Sequence, residues 1–367
     1  MSHTNKKSYI RPVGVLFGSI ADQLISAGQA YRLAGGPFSF SHAEMIASDS
    51  VGNIESKISS VEGLKDNFRN FCINNKAKVT ECLEHFIETR ESFAGFSLSG
   101  LDYKPRILGV LNVTPDSFFD GGLYETTEAA ISHARALHIA GADIIDIGGE
   151  STRPGAKEVS LDEELSRVMP VVKALSEDGI VVSVDTRHSE VMRQVIGAGA
   201  KVINDVSALR HDAESLSVVA NNDVDVILMH MRGLPETMQN EPFYKNVVLD
   251  VYDMLYDRIN HCLEAGIERK RICVDPGVGF GKSVEHNLEL ISSLSIFQGL
   301  GCGLAIGISR KSFIDSVSKT DGPDRRLLGS IASLIAALNQ GVNIVRVHDV
   351  SETLQAINMW HKIVMER

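Results

Sequence analysis

Eight short Val/Ile/Leu-rich runs separated by segments of helical period, glycines where helix gives way to the next run, and polar residues collected at one end of the runs predict an α/β protein: a (β/α)8 barrel with an N-terminal, partly helical extension. Residues 1–92 form the extension and residues 93–367 the barrel. An open doubly wound sheet is the structural alternative, since it shares the same alternation of strand and helix.

In the extension, Ile54, Ile58, Val61, Leu64, Phe68 and Phe71 recur at helical spacing on a polar background, and Val79, Leu83 and Phe86 share a second face. The spacing predicts one or two helices packed on the barrel. The preceding "YRLAGGPFSFSHAEMI" reads as irregular because it is glycine-rich, and "FAGFSLSGLDYKP" (93–105) reads as a short hairpin or cover leading into the first barrel strand.

The eight runs follow in order at 107–113, 143–149, 180–186, 201–206, 225–230, 271–276, 303–309 and 343–349. Continuous apolar runs of this length suit strands buried on both faces. "LHIAGADIIDI", "VIGAGAKVIND" and "LEAGIERKRICVD" each end a helix on Gly before the next strand. Asn112, Asp146, Asp185, Asn204, His230, Asp275, Ser309 and His348 all fall at or near the carboxyl ends of the runs, and that face of a barrel carries the active site.

Composition narrows the function. The chain has 367 residues, 44% hydrophobic and 23% charged, with a formal net charge of -11, so it lacks the basic field that nucleic acid or an anionic membrane requires. Its five cysteines are scattered and never spaced as CxxC, which disfavours a disulfide framework and a zinc site alike. The N-terminus has no apolar signal core, and the run "VGVLFGSIADQLI" is interrupted by Asp22 and too short to span a bilayer. A cytoplasmic protein with reduced thiols is expected, so the sugar-acceptor pattern Asn112-Val113-Thr114 is coincidental.

The candidate chemistry lies on several strands. Arg346 and His348, two apart on the eighth run, project to one side and offer donors to an anion. "GISRKSFI" ends the seventh run and opens a helix, and loops after strands 7 and 8 commonly bind phosphate in such barrels. A carboxylate accepts two parallel N–H bonds, which suits Asp185 and Asp275 to the amidine-like edge of a pterin or guanine, with Asn204 beside them and Lys311 as compensating charge. "GGESTRPGA" (148–156) reads as a mobile loop carrying Thr152 and Arg153. "DPGVGFGK" (275–282) has the glycines of a phosphate loop without the Walker spacing, and Met229, His230 and Met231 read as packing residues.

Taken together, "LNVTPDSF", "GGESTRPGA", "SVDT", "VINDVSAL", "LMHMRGLPETMQ", "DPGVGFGK", "GISRKS" and "RVHDV" closely resemble, in order, the bacterial dihydropteroate synthases, over about residues 95–365. The resemblance implies a pterin-binding TIM barrel of folate biosynthesis, a transferase condensing 6-hydroxymethyl-7,8-dihydropterin diphosphate with 4-aminobenzoate to give 7,8-dihydropteroate and diphosphate. It implies that Asp185, Asn204, Met229, Asp275, Phe280 and Lys311 hold the pterin. Asn112, Thr152, Arg153, Arg346 and His348 match positions around the diphosphate, with Asn112 a ligand of Mg²⁺. Phe118, Thr152, Pro154, Phe280 and Ser309, the last at a helix start, match the aminobenzoate pocket. The family mechanism is SN1-like; a homodimer and competition by sulfonamides are also implied. One departure is Phe119, which stands where family members usually carry Ser and alters how the first loop packs. A pterin-dependent methyltransferase barrel and a non-catalytic pterin-binding paralogue are the alternatives.

Overall fold

A computed structural model describes residues 6–71, 76–113, 127–150, 159–233, 238–239 and 241–366. The chain opens on strands that the sequence reading did not anticipate, and a fourth stands where a helix was expected. β1 (Lys7–Leu16) and β3 (Ser39–Ser48) pair antiparallel along their length, and β2 (Tyr31–Arg32) and β4 (Ile54–Ser60) both pair with the other side of β3. The helices of this region are α1 (Gly18–Ser26), α2 (Leu64–Phe71) and α3 (Lys76–Ile87).

The helical reading of 54–71 is therefore correct only from Leu64 onward. Ile54 and Ile58 are four apart, a spacing that also satisfies the two-residue period of a strand, and both are exposed, at 46% and 61%. The glycine-rich stretch before them hides β3, whose Phe40, Ala43 and Met45 are fully buried. β1 escaped notice because Pro12 and Gly14 interrupt it, and Pro is tolerated there because β1 ends the β1–β3–β2 order.

The barrel is closed, in the strand order β5 (Arg106–Asn112), β6 (Ile144–Gly148), β7 (Val182–Asp185), β8 (Val202–Asp205), β9 (Asp225–Met229), β10 (Ile272–Asp275), β11 (Gly303–Gly307) and β12 (Ile344–Val347), with β12 pairing back to β5. Closure excludes the open doubly wound alternative. Around it lie α4 (Thr127–Ile139), α5 (Leu161–Glu177), α6 (Ser189–Gly197), α7 (Ser215–Ala220), α8 (Val247–Glu264), α9 (Val284–Ser292), α10 (Phe313–Ser318), α11 (Leu327–Leu338) and α12 (Val350–Met365). The glycines expected at helix–strand junctions, Gly141, Gly199 and Gly266, take φ of 112°, 110° and 91°, which side chains with a Cβ rarely adopt.

The lower end of the barrel is apolar. Phe93 and Phe96 exchange backbone hydrogen bonds to close a tight hairpin, and Phe93 and Leu98 pack against Leu108, Ile144, Val202, Ile227, Cys273, Ala305 and Ile344. Buried Asn343 ties this cover to the strands: its side chain donates to the Leu98 carbonyl and accepts from the Leu304 N–H. The extension packs nearby. Arg90, buried and without a carboxylate partner among the described residues, donates to the carbonyls of Cys302 and Gln298, and Pro12 accepts from Ser295. Residues of β1, β3 and α3 belong to the same hydrophobic core as the barrel. No helix among the described residues is long and apolar enough to cross a membrane. Cys82, Cys262, Cys273 and Cys302 are buried.

Candidate active site

Strand register assembles the mouth. Asn112 lies beside Gly148, Gly148 beside Asp185, and Asp185 beside Asn204, so the ends of β5 to β8 form one continuous row. Below that row Asp146, fully buried, accepts from Ser183 Oγ at 2.6 Å, Asn204 Nδ2 at 3.1 Å and Arg346 Nε at 2.6 Å. Arg346 also donates from Nη2 to Asp185 at 2.9 Å. A buried carboxylate needs such partners, and this arrangement uses one guanidinium for two of them. Burial alone would lower the Arg346 pKa, but Asp146 and Asp185 raise it overall, so the guanidinium is held charged.

Asp185 is left incomplete. Its Oδ2 takes Arg346, whereas its Oδ1 is buried with no hydrogen-bond partner among the described residues. Burial raises the carboxyl's pKa against the pull of Arg346. A buried acceptor without a donor is costly unless a ligand supplies one.

Across the mouth, Asp275 accepts the Gly277 N–H at 2.7 Å. A Cβ on Gly277 would lie 1.9 Å from the His230 carbonyl oxygen, so only glycine lets the ends of β9 and β10 come this close. Burial raises the Asp275 pKa and Lys311 opposes the shift; burial likewise lowers the Lys311 pKa to about 7. The Lys311 ammonium donates to the Val278 carbonyl and sits 4.3 Å from the Phe280 ring centroid. Met229 joins Val206, Met231 and Met238 in a small apolar cluster against which Phe280 packs. Charge compensation is thus divided: Arg346 serves Asp146 and Asp185, and Lys311 faces Asp275.

Several sequence readings are sharpened here. The glycine loop 275–282 is no phosphate cradle, because Lys282 turns inward and donates to the carbonyls of Gly277 and Phe280, and lies 3.0 Å from His230 Nδ1. Ser309 is not at a helix start: β11 ends at Gly307 and α10 begins at Phe313, leaving Ser309 in the intervening turn. There its hydroxyl accepts the His348 N–H at 3.2 Å and lies 3.1 Å from His348 Nδ1. His348 stands just beyond β12 rather than within it. Phe118, Phe119, Thr152, Arg153 and Pro154 lie outside the described residues.

Two pairings lay beyond the sequence reading, although Asp146 was noted there as a polar strand end. Asp146 is the hub of the Arg346 network, and its signal was a lone carboxylate inside the apolar run "DIIDIGG". Glu150 forms a buried bidentate pair with Arg187, at 3.0 Å on both arms, fastening the end of β6 to that of β7. Nothing in sequence spacing announces a pair 37 residues apart.

A model of the family described as pterin binding enzyme matches residues 108–348. The dihydropteroate synthase of Escherichia coli K12 is 45% identical over 256 residues, which span 70% of this chain and 90% of that protein. The chain belongs to the dihydropteroate synthase family. The synthase of Xanthomonas albilineans solved with 4-aminobenzoic acid is 43% identical and aligns with a TM-score of 0.68 over 74% of this chain and 96% of that one. That of Burkholderia cenocepacia, solved with 7,8-dihydropteroate, is 40% identical, with a TM-score of 0.65 over 71% and 91% of the two chains. The extension lies outside the residues matched by the family model.

Proposed function

We propose that the barrel mouth condenses 6-hydroxymethyl-7,8-dihydropterin diphosphate with 4-aminobenzoate, as a dihydropteroate synthase. The protein is a transferase of folate biosynthesis by its family membership. The observation that carries the residue assignments is the buried Oδ1 of Asp185, without a hydrogen-bond partner among the described residues, on a strand end paired with that of Asn204.

In this reading Asp185 and Asp275 accept N–H groups of the pterin, Asn204 and Lys311 complete its polar rim, and Met229 and Phe280 pack on the ring. Asp146 holds Arg346 and Asn204 in position. Arg346 Nη1, engaged in neither carboxylate pair, and His348 face the diphosphate, with Thr152 and Arg153 assigned from the resemblance alone. Ser309 takes the aminobenzoate carboxylate, with Phe118, Pro154 and Phe280 around its ring.

The bond from the pterin methylene to the diphosphate oxygen breaks, and the diphosphate leaves with the electron pair. The arylamine nitrogen then bonds to the methylene and loses one proton to solvent. Arg346 and His348 stabilise charge growing on the leaving group, and the Asp185 carboxylate stabilises the positive charge left on the pterin. The amine is already nucleophilic, so no strong base is required.

The family also implies Mg²⁺. The Asn112 amide oxygen suits a hard cation that takes few protein ligands and completes its shell from substrate phosphates. A Cβ on Gly148 would lie 3.3 Å from Asn112 Oδ1, so glycine keeps the space beside that oxygen open. When bound there with the diphosphate, the ion would supply positive charge against the leaving group. The reading includes a cytoplasmic homodimer. The test is diphosphate release from purified protein given both substrates and Mg²⁺; folded protein without turnover would overturn it, and turnover undiminished by chelation would remove the metal.

A further inference from the structure

The loop after β10 is held by its carbonyls. Five in succession accept side-chain hydrogen bonds: Gly277 and Phe280 from Lys282 Nζ, at 2.8 and 3.0 Å, Val278 from Lys311, Gly279 from Gln239 at 2.7 Å, and Gly281 from the Tyr244 hydroxyl at 2.8 Å. A loop outside the sheet ladder has to satisfy its backbone in this way. Lys282 alone takes two of the five, is buried, and lies 3.0 Å from Nδ1 of His230, whose own N–H donates to the Asp275 carbonyl at 2.9 Å.

A buried amine at the centre of a site is costly unless every hydrogen finds an acceptor. Burial pushes the Lys282 pKa well below its ordinary value, Lys311 adds to the shift, and Asp275 opposes it; burial also pushes the His230 pKa well down, so that ring is neutral. Both protonation states of Lys282 fit the surroundings. As an ammonium it gives its third hydrogen to His230 Nδ1, and as an amine it keeps both carbonyls and accepts Nδ1–H on its lone pair. The grip on the loop is the same in either state.

We infer that Lys282 is a positioning residue for the pterin: by gripping Gly277 and Phe280 it sets where the Phe280 ring and the Lys311 ammonium stand. This rests on the function proposed above, in which those two residues hold the heterocycle. Phe280 hangs from a carbonyl that Lys282 holds, and its ring centroid is 4.3 Å from Lys311 Nζ. Lys311 is tied to the Val278 carbonyl, next in the chain to the gripped Gly277. A Cβ on Gly279 would lie 2.8 Å from Lys311 Cδ, so the lysine crosses directly against the loop. A displaced loop therefore moves ring and ammonium together, and Lys282 needs no contact of its own with substrate.

The experiment is a double-mutant cycle read by titration calorimetry, with 6-hydroxymethylpterin as the probe of the ring site, inorganic diphosphate as the probe of the anion site, and circular dichroism confirming folded protein. Lys282→Met is expected to weaken 6-hydroxymethylpterin by about tenfold or more, because a small misplacement of two contacts is costly, and to leave inorganic diphosphate nearly unchanged. Lys311→Met weakens the pterin directly, and the double variant K282M/K311M loses less than the product of the two single losses, because the residues act as a unit. Lys282→Gln, whose amide keeps two hydrogens to donate, shows a smaller loss in the same direction and is the variant read in the cycle if Lys282→Met does not fold. Unchanged pterin affinity, equal losses of both probes, independent losses in the cycle, or a chain that folds with neither replacement each overturn the positioning role and leave the proposed function standing. A wild-type protein that does not bind 6-hydroxymethylpterin overturns both.

Discussion

The two ends of the barrel strands solve different problems with the same backbone. At the amino ends, Phe93 and Leu98 seal the floor against residues from most of the strands, and the hydrogen bonds of Asn343 are satisfied within the protein. At the carboxyl ends, Asp146, Asp185 and Asp275 are buried beside the part-buried Arg346 and Lys311, and one buried oxygen of Asp185 has no partner among the described residues. The floor gains its stability from burying apolar area. The mouth holds costly charge in place, which is what a site that must bind a polar heterocycle and an anion requires.

That contrast can be broken from either end. Arg346→Ala should have the largest effect: turnover falls by about a hundredfold or more, and removing the shared partner of two buried carboxylates costs about 3 to 5 kcal/mol of stability. Its use of the diphosphate substrate should suffer far more than its use of aminobenzoate; steady-state kinetics and thermal unfolding read the two losses. Phe93→Ala should cost a comparable 3 to 5 kcal/mol, roughly, yet leave turnover per folded molecule unchanged. A fall in kcat at constant folded fraction would mean that floor and mouth are coupled.

A smaller effect is expected at Asp275→Asn, which exchanges a charge-assisted acceptor for a neutral one and should weaken pterin binding by about 1.5 to 3 kcal/mol, measured by calorimetry. Unchanged affinity would take Asp275 out of the site. The smallest concerns Glu164, a fully buried residue of α5 whose carboxyl is pushed up to about 7 by burial, only partly offset by the Thr186 hydroxyl. The folded state then holds a proton that the unfolded chain has released. Stability from this group is complete below the ordinary carboxylate range and declines as pH rises towards about 7. Glu164→Gln should remove that slope and be the more stable protein above pH 7, by on the order of 1 to 3 kcal/mol. Parallel stability-against-pH curves for the two proteins would refute it.

The barrel strands were legible because each carries a continuous apolar run, and a period of that kind survives without knowledge of neighbours. Their polar ends were legible too: Asp185 and Asn204, distant in sequence, lie side by side in the strand register, and Asp275 ends another strand of the same barrel. The extension was read less well. Ile54 and Ile58 fit helix and strand alike, and the pairing of β4 with β3 that decides between them is a non-local contact. Asp146 was visible as a polar residue at a strand end, but its three donors come from three other strands.

Sequence by itself determined the barrel, its polar mouth and the family, because local periodicity and ordered motifs are properties of the chain alone. Tertiary structure decided which carboxylate answers to which cation, left Asp185 Oδ1 without a partner among the described residues, turned Lys282 into its own loop, and laid an edge strand where a helix was expected. Those outcomes depend on distances between residues that only closure of the barrel and pairing of the N-terminal strands bring together.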